Sequence, residues 1–213
     1  MKKGIFILFL FIPFLGNAQN GLSLWSGVNI DKKLNKKFEL KSSLQTRFVD
    51  NVSFIQAYLG ELGLSYKINK RWDIDGYYRF SNRRRTEQSQ FRQRHRFYGN
   101  LNYDKKFGDF KFENRLRYQH QFRDNDGIIG FDRSYLRNKV EVGWSNKSKF
   151  TPFISADVFY EIGFGFDQIR PRVGTSYKIN KRNSLNAALF TNFDFQGIET
   201  PNPILRINYN LKL

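Results

Sequence analysis

Two-residue alternation of apolar and polar side chains in segments of about ten residues, five short Lys/Asn turn cassettes and an aromatic content of 17% predict an antiparallel transmembrane β-barrel. In segment 38–48 the even positions are mostly apolar, whereas the odd positions carry Glu39, Lys41, Ser43, Gln45 and Arg47. Successive strand side chains point to opposite faces, so such a segment has one apolar and one charged face. A soluble sandwich alternates too. The aromatic load and the turn pattern separate the two, because membrane barrels place aromatic residues on the lipid face and in two interfacial girdles.

The first element is not part of the barrel. Met1-Lys2-Lys3, an apolar run over 4–15, and Gly16-Asn17-Ala18 before Gln19 have the charged start, short apolar core and small residues of a secretory signal peptide. Residues 1–18 are expected to be removed and 19–213 to form one barrel domain in the outer membrane of a Gram-negative bacterium. No later apolar run reaches the length of a membrane helix, and the mean hydropathy is −0.60. The absence of cysteine excludes a disulfide framework, a thiolate metal site and an N-terminal lipid anchor on Cys. With two histidines and no cysteine, neither a metal nor a cofactor is expected.

The turn cassette reads Lys33-Leu34-Asn35-Lys36-Lys37, Lys67-Ile68-Asn69-Lys70-Arg71 and Lys178-Ile179-Asn180-Lys181-Arg182, with looser forms at 105–109 and 146–149. Asn and Gly accept the backbone of tight turns, and Lys keeps them hydrated. Longer polar connections are expected at 50–53, 82–90, 123–132, 165–168 and 196–203. Short turns on one side and long loops on the other match periplasmic turns and extracellular loops. Eleven alternating segments result, beginning with 22–31, whereas single-chain bacterial barrels have even counts. About ten strands are expected, with 22–31 an irregular partner; twelve is the alternative.

Net charge is +17, falling to +15 without Lys2 and Lys3, and its placement decides its meaning. Basic residues share the inward parity: Arg47, Arg79, Arg92, Arg94, Arg96, Arg115, Arg117, Arg137, Arg170 and Arg172. Arg92, Arg94 and Arg96 are expected to face Arg115 and Arg117 on the next strand. Two readings follow. An electropositive lumen would attract anionic small solutes, since guanidinium groups pair oxyanions bidentately; a narrow barrel would instead neutralise them with Glu61, Glu113, Glu141, Asp157 and Asp194. The loop run Arg83-Arg84-Arg85 either meets phosphates of outer-membrane lipid and lipopolysaccharide or is simply solvated. Nucleic acid is not an expected partner: single-strand binders interleave basic and aromatic residues, but not with an export signal and one two-residue period throughout.

Enzymatic chemistry has one candidate set. His95 and His120 fall on consecutive strands, nearly opposite each other, in the lipid-facing phase together with Ser134 and Asn138. A Ser-His-Asn set there could hydrolyse or transfer lipid acyl groups, although no nucleophile motif surrounds Ser134. A non-enzymatic barrel is the primary expectation.

The order of Trp25, the turn at 31–37, Gln45-Thr46-Arg47, Tyr77-Tyr78-Arg79, Arg94-His95-Arg96 and Arg115-Leu116-Arg117-Tyr118 resembles an uncharacterised bacterial family of presumed outer-membrane barrels, domain of unknown function 2490. The resemblance covers the whole mature chain and implies fold and location, with no activity attached.

Overall fold

The computed structural model describes residues 21–145, 148–197 and 202–213. The expected signal peptide, the centre of the turn at 146–147 and the tip of the loop at 198–201 lie outside the described residues. Alternation becomes strand throughout: β1 Ser23–Lys33, β2 Phe38–Val49, β3 Phe54–Lys67, β4 Trp72–Arg83, β5 Arg92–Phe107, β6 Phe110–Asn125, β7 Ile128–Trp144, β8 Phe150–Glu161, β9 Gly165–Lys178, β10 Asn183–Phe190, β11 Phe193–Asp194 and β12 Ile204–Lys212. Neighbours run in the order β10-β12-β1-β2 onward to β9, and β9 pairs with β10, so the sheet closes on itself. Closure leaves no strand edge exposed.

The barrel has eleven spans, because the two-residue β11 continues β10 along β9. Segment 22–31, expected to stand aside as an irregular partner, is a full strand. Consecutive hairpins reverse direction at each turn, so in an odd set the first and last strands run the same way. They therefore pair in parallel, Ser23 with Ile204 through Asp31 with Lys212. Asn29 Nδ2 donates to Asn210 Oδ1 across this seam at 2.7 Å, and Leu213 N–H to Asp31 O at 2.8 Å. The start of β1 and the end of β12 consequently lie at opposite ends of the barrel.

The three clear cassettes fold identically. Asn35, Asn69 and Asn180 each accept, through Oδ1, the N–H groups two and three residues on, at 2.8–3.0 Å. The side chain mimics a backbone turn, which explains why Asn recurs at the same place. At the other end two expected loops are in fact strand. Residues 123–132 form a hairpin whose turn is Asp126-Gly127, with φ of 53° and 91°, the geometry of a type I′ turn. Residues 165–168 open β9. The turn and loop asymmetry thus rests on 84–91 and 195–203.

The outward parity is apolar and exposed: Leu44 70%, Leu62 55%, Leu116 46% and Ile154 63%. Aromatic pairs ring the cassette end, with Phe38 to Tyr66 at 5.0 Å, Trp72 to Tyr103 at 4.8 Å and Phe150 to Tyr177 at 4.7 Å. A second ring, including Phe97 to Phe122 and Tyr160 to Phe166, lies toward the other end. On β2 the interval from Phe38 to Phe48 is about 33 Å of strand, or about 25 Å along an axis inclined by about 40°.

Candidate functional site

The inward parity encloses a cavity of about 870 Å³, lined from Asp104 and Lys111 at the cassette end to Arg83 and Asp167 at the other. Fifteen basic and nine acidic side chains line it, so its wall carries an excess of six positive charges. Arg47, Arg79, Arg94, Arg96, Arg115, Arg117, Arg137, Arg170 and Arg172 all stand where alternation places them. Arg92 does not line the cavity; it sits at the rim and reaches Asp126 at 3.2 Å.

The charges divide into two subsets, one paired with carboxylates and one not. Asp157, 2% exposed, accepts from Arg137 at 2.5 Å and from Arg115 at 3.0 Å. Glu61 takes Arg79 and the Tyr98 hydroxyl, the latter at 2.6 Å. Lys139 pairs with Glu141 at 2.9 Å. Glu113 pairs with Lys111, its neighbour two residues along β6, rather than with any of the predicted arginines. Asp194 lines the cavity, and its Oδ1 caps Gln196 N–H at 2.8 Å.

Other arginines have neutral partners only. Arg96 bonds Gln121 Oε1. Arg117, 6% exposed, donates to Asn100 Oδ1 at 2.7 Å and lies 3.9 Å over the Tyr98 ring. Arg94 points an unpartnered Nε inward. The register explains why Arg92–Arg96 do not face Arg115 and Arg117: Arg94 opposes Arg123 and Arg96 opposes Gln121, while Arg117 opposes Asn100. The Arg92–Arg96 and Arg115–Arg117 groups are therefore offset along the axis, and the like charges that do face each other are Arg94 with Arg123, Arg96 with Arg79 and Arg117 with Arg137.

Inward aromatic residues escaped the sequence reading. Trp25, Tyr77, Tyr98, Tyr135 and Phe159 line the cavity, and Phe190 is fully buried. Parity was the available signal: Trp25 shares it with Asn29 and Asp31, and Tyr98 with Arg94 and Arg96. Arg84 shows a different correction. Its Nε donates to Ile55 O at 2.7 Å and it packs over Phe54 and Phe91, so it staples the 84–91 loop, while Arg83 and Arg85 are exposed.

On the outer wall, His120 Nδ1 lies 2.7 Å from Ser134 Oγ, its direct cross-strand partner. His95 opposes Phe122, diagonal to His120, and bonds the Tyr78 hydroxyl at 2.7 Å. Asn138 is two periods of alternation away, about 13 Å along β7 from Ser134, and its Oδ1 accepts from Asn114 at 3.1 Å. The expected three-residue set is thus only a Ser-His pair. Ser134 lies within a regular ladder, its carbonyl accepting Ile162 N–H at 3.0 Å, not on a strained turn that presents converging N–H donors to an oxyanion. Among the described residues no group of His, Asp and Glu is arranged to hold a metal ion.

A closed all-β barrel with an arginine-rich polar lumen and an apolar, aromatic-ringed outer wall is the class this chain defines. The family described as a protein of unknown function, DUF2490, matches residues 22–200. The chain belongs to that family. No curated protein matches it.

Proposed function

We propose that this is a non-enzymatic outer-membrane barrel whose lumen admits or holds anionic solutes. The single observation that carries the reading is the excess of basic over acidic side chains along the cavity, several of them without a carboxylate. A passage lined by fixed positive charge lowers the barrier for anions and raises it for cations. Membrane residence is supported by the outer wall: the interval between its aromatic rings matches an apolar band about 25 Å tall, and an apolar surface of this extent is far larger than the few hundred Å² a soluble monomer tolerates. With the cassette turns toward the periplasm, Arg85 stands at the outer leaflet, where lipopolysaccharide phosphates are the anionic neighbours.

Fractionation should place the mature chain in the outer membrane as a heat-modifiable band; recovery as a soluble periplasmic monomer overturns the location. In planar bilayers under a salt gradient, the parent should show an anion-favouring reversal potential. That preference should weaken in Arg94→Gln/Arg96→Gln, neither of which breaks an ion pair. A cation-selective parent refutes the anion reading.

The His120–Ser134 contact is the one observation favouring a second reading, a lipid-modifying barrel enzyme. On that reading His120→Gln and Ser134→Ala should each abolish hydrolysis or acyl transfer on phospholipid vesicles without altering the melt. The expected result is no turnover in the parent, and reproducible turnover lost in both variants would reverse the preference.

A further inference from the structure

Three arginines of the lumen lie over one aromatic platform, and a fourth, Arg206, stands beside it in the strand register. Trp25 on β1 meets Phe190 on β10 edge-on, ring centroids 5.1 Å apart. The Arg47 guanidinium lies 3.6 Å from the Trp25 centroid, and Arg170 approaches the same ring at 5.6 Å. Arg170 and Arg172 lie over Phe190 at 5.3 Å and 4.9 Å. Trp25 has Arg206 as its register partner on one side and Arg47 on the other. Three strands, β2, β9 and β12, thus aim four positive charges at the one place.

No ion pair reaches any of the four among the described residues. Their partners are neutral: Gln45 Oε1 for Arg47 at 3.0 Å, Asn192 Oδ1 for Arg170 at 2.6 Å, and Asn208, with its amide oxygen turned to the guanidinium, for Arg206 at 2.6 Å. Arg172 keeps a buried Nε with no partner. Elsewhere in the same lumen Asp157, Glu61 and Glu141 neutralise their neighbours; what sets this cluster apart from the other carboxylate-free arginines is its gathering about one pair of rings.

Like charges gathered in an enclosed wall repel, and an anion from solution offsets that cost. Stacking on a ring fixes a guanidinium in place while leaving in-plane N–H groups for a ligand. A carboxylate offers two oxygens in one plane; a phosphoryl group offers three or four in three dimensions, which suits forks arriving from three strands. We infer that Arg47, Arg170, Arg172 and Arg206 on the Trp25–Phe190 platform form a binding site for a phosphoryl-bearing anion. The inference rests on the reading of the lumen as anion-admitting, since the ligand reaches the platform through it.

The test uses Trp25 as its own reporter. In the full mature barrel carrying Trp72→Phe and Trp144→Phe, Trp25 is the remaining tryptophan of the three. Titration with inorganic phosphate should change its fluorescence saturably. Acetate and chloride at matched ionic strength should not reproduce that change. Arg170→Gln and Arg172→Gln should each raise the midpoint about tenfold or more, the loss expected for one charge-assisted hydrogen bond; Lys111→Gln, at the cassette end, should shift it less than about twofold. Arg172→Gln serves if Arg170→Gln fails to fold, because Arg172 holds no side-chain hydrogen-bond acceptor. Equal responses to chloride and phosphate, or equal midpoints in Arg172→Gln and Lys111→Gln, overturn the site. A phosphate response without conductance removes the pore and keeps the site; anion-selective conductance without a phosphate response does the reverse.

Discussion

Asp157→Asn is expected to destabilise the barrel by about 3–5 kcal/mol, the range for removing one partner of a buried ion pair. The carboxylate is 2% exposed and serves two guanidinium groups, from Arg137, itself 7% exposed, and from Arg115 at 22%. An amide keeps the shape but removes the charge, leaving two cations facing each other in a wall already rich in arginine. The more open position of Arg115 places the expected value toward the lower end, since lumen water screens it. Urea unfolding of the refolded barrel reads the loss. Asp157→Asn/Arg137→Met should recover much of it, because deleting both partners of a buried pair is far cheaper than deleting one, and Met can pack on Phe159, over which Arg137 now lies at 3.9 Å. A melt of Asp157→Asn superimposable on the parent would show that Asp157 contributes nothing to holding these arginines.

Parity was legible in the sequence because it is local: a side chain's face depends only on counting by two from its neighbours. That is why Arg47, Arg79, Arg137 and Arg170 are where alternation puts them, and why Trp25 and Tyr98 could have been assigned inward by the same count. Register was harder, because it depends on which residues make the turn. Gly108, at φ 58°, fixes a two-residue turn with Asp109 and sets Phe107 opposite Phe110. Displacement of that centre by one residue shifts the partner of every arginine on β5 and β6 by two, and a centre two residues earlier would set Arg96 opposite Arg117 in place of Gln121.

Composition misled for a different reason. Residues 123–132 read as a loop because they are polar, yet polarity there marks departure from the apolar band, while the hairpin continues beyond it to Asp126-Gly127. Backbone pairing and side-chain polarity are separate signals in a barrel whose strands outrun its apolar zone. The odd strand count has a similar origin. Alternation in 22–31 was as good as elsewhere, and the frequency of even barrels argued against it; the parallel partner at 204–212 lies at the far end of the sequence, where no local pattern announces it. The ion pairs divide along the same line. Lys111 with Glu113 and Lys139 with Glu141 are two residues apart on one strand and were readable, whereas Asp157 with Arg115 joins β8 to β6 over the intervening β7.

The closing hairpin of β9 and β10 makes the other large effect. Gly174→Ala is expected to cost about 3 kcal/mol, the upper part of the range for overpacking. A methyl at Gly174 would lie 2.5 Å from the Ala187 carbonyl oxygen, 2.6 Å from the Phe153 ring and 2.8 Å from the Ala188 Cβ. The ring can tilt, but the carbonyl belongs to the strand ladder that pairs Ala188 with Gly174, so relief requires the hairpin to spread. Two residues on, the same ladder sets Arg172 opposite Phe190, so spreading also loosens the platform over which Arg170 and Arg172 lie. Gly76→Ala provides the contrast: its Cβ meets nothing within 4 Å, and loss of glycine's unfolded-state freedom should leave stability unchanged or raise it by about 0.5 kcal/mol. Gly174→Ala/Phe153→Leu removes the ring contact and should restore only part of the loss, since the carbonyl contact persists. Urea midpoints of the three variants beside the parent decide the matter. Full recovery in the double variant would assign the clash to the ring alone, and equal midpoints for Gly174→Ala and Gly76→Ala would show that this hairpin tolerates a side chain where its backbone leaves no room for one.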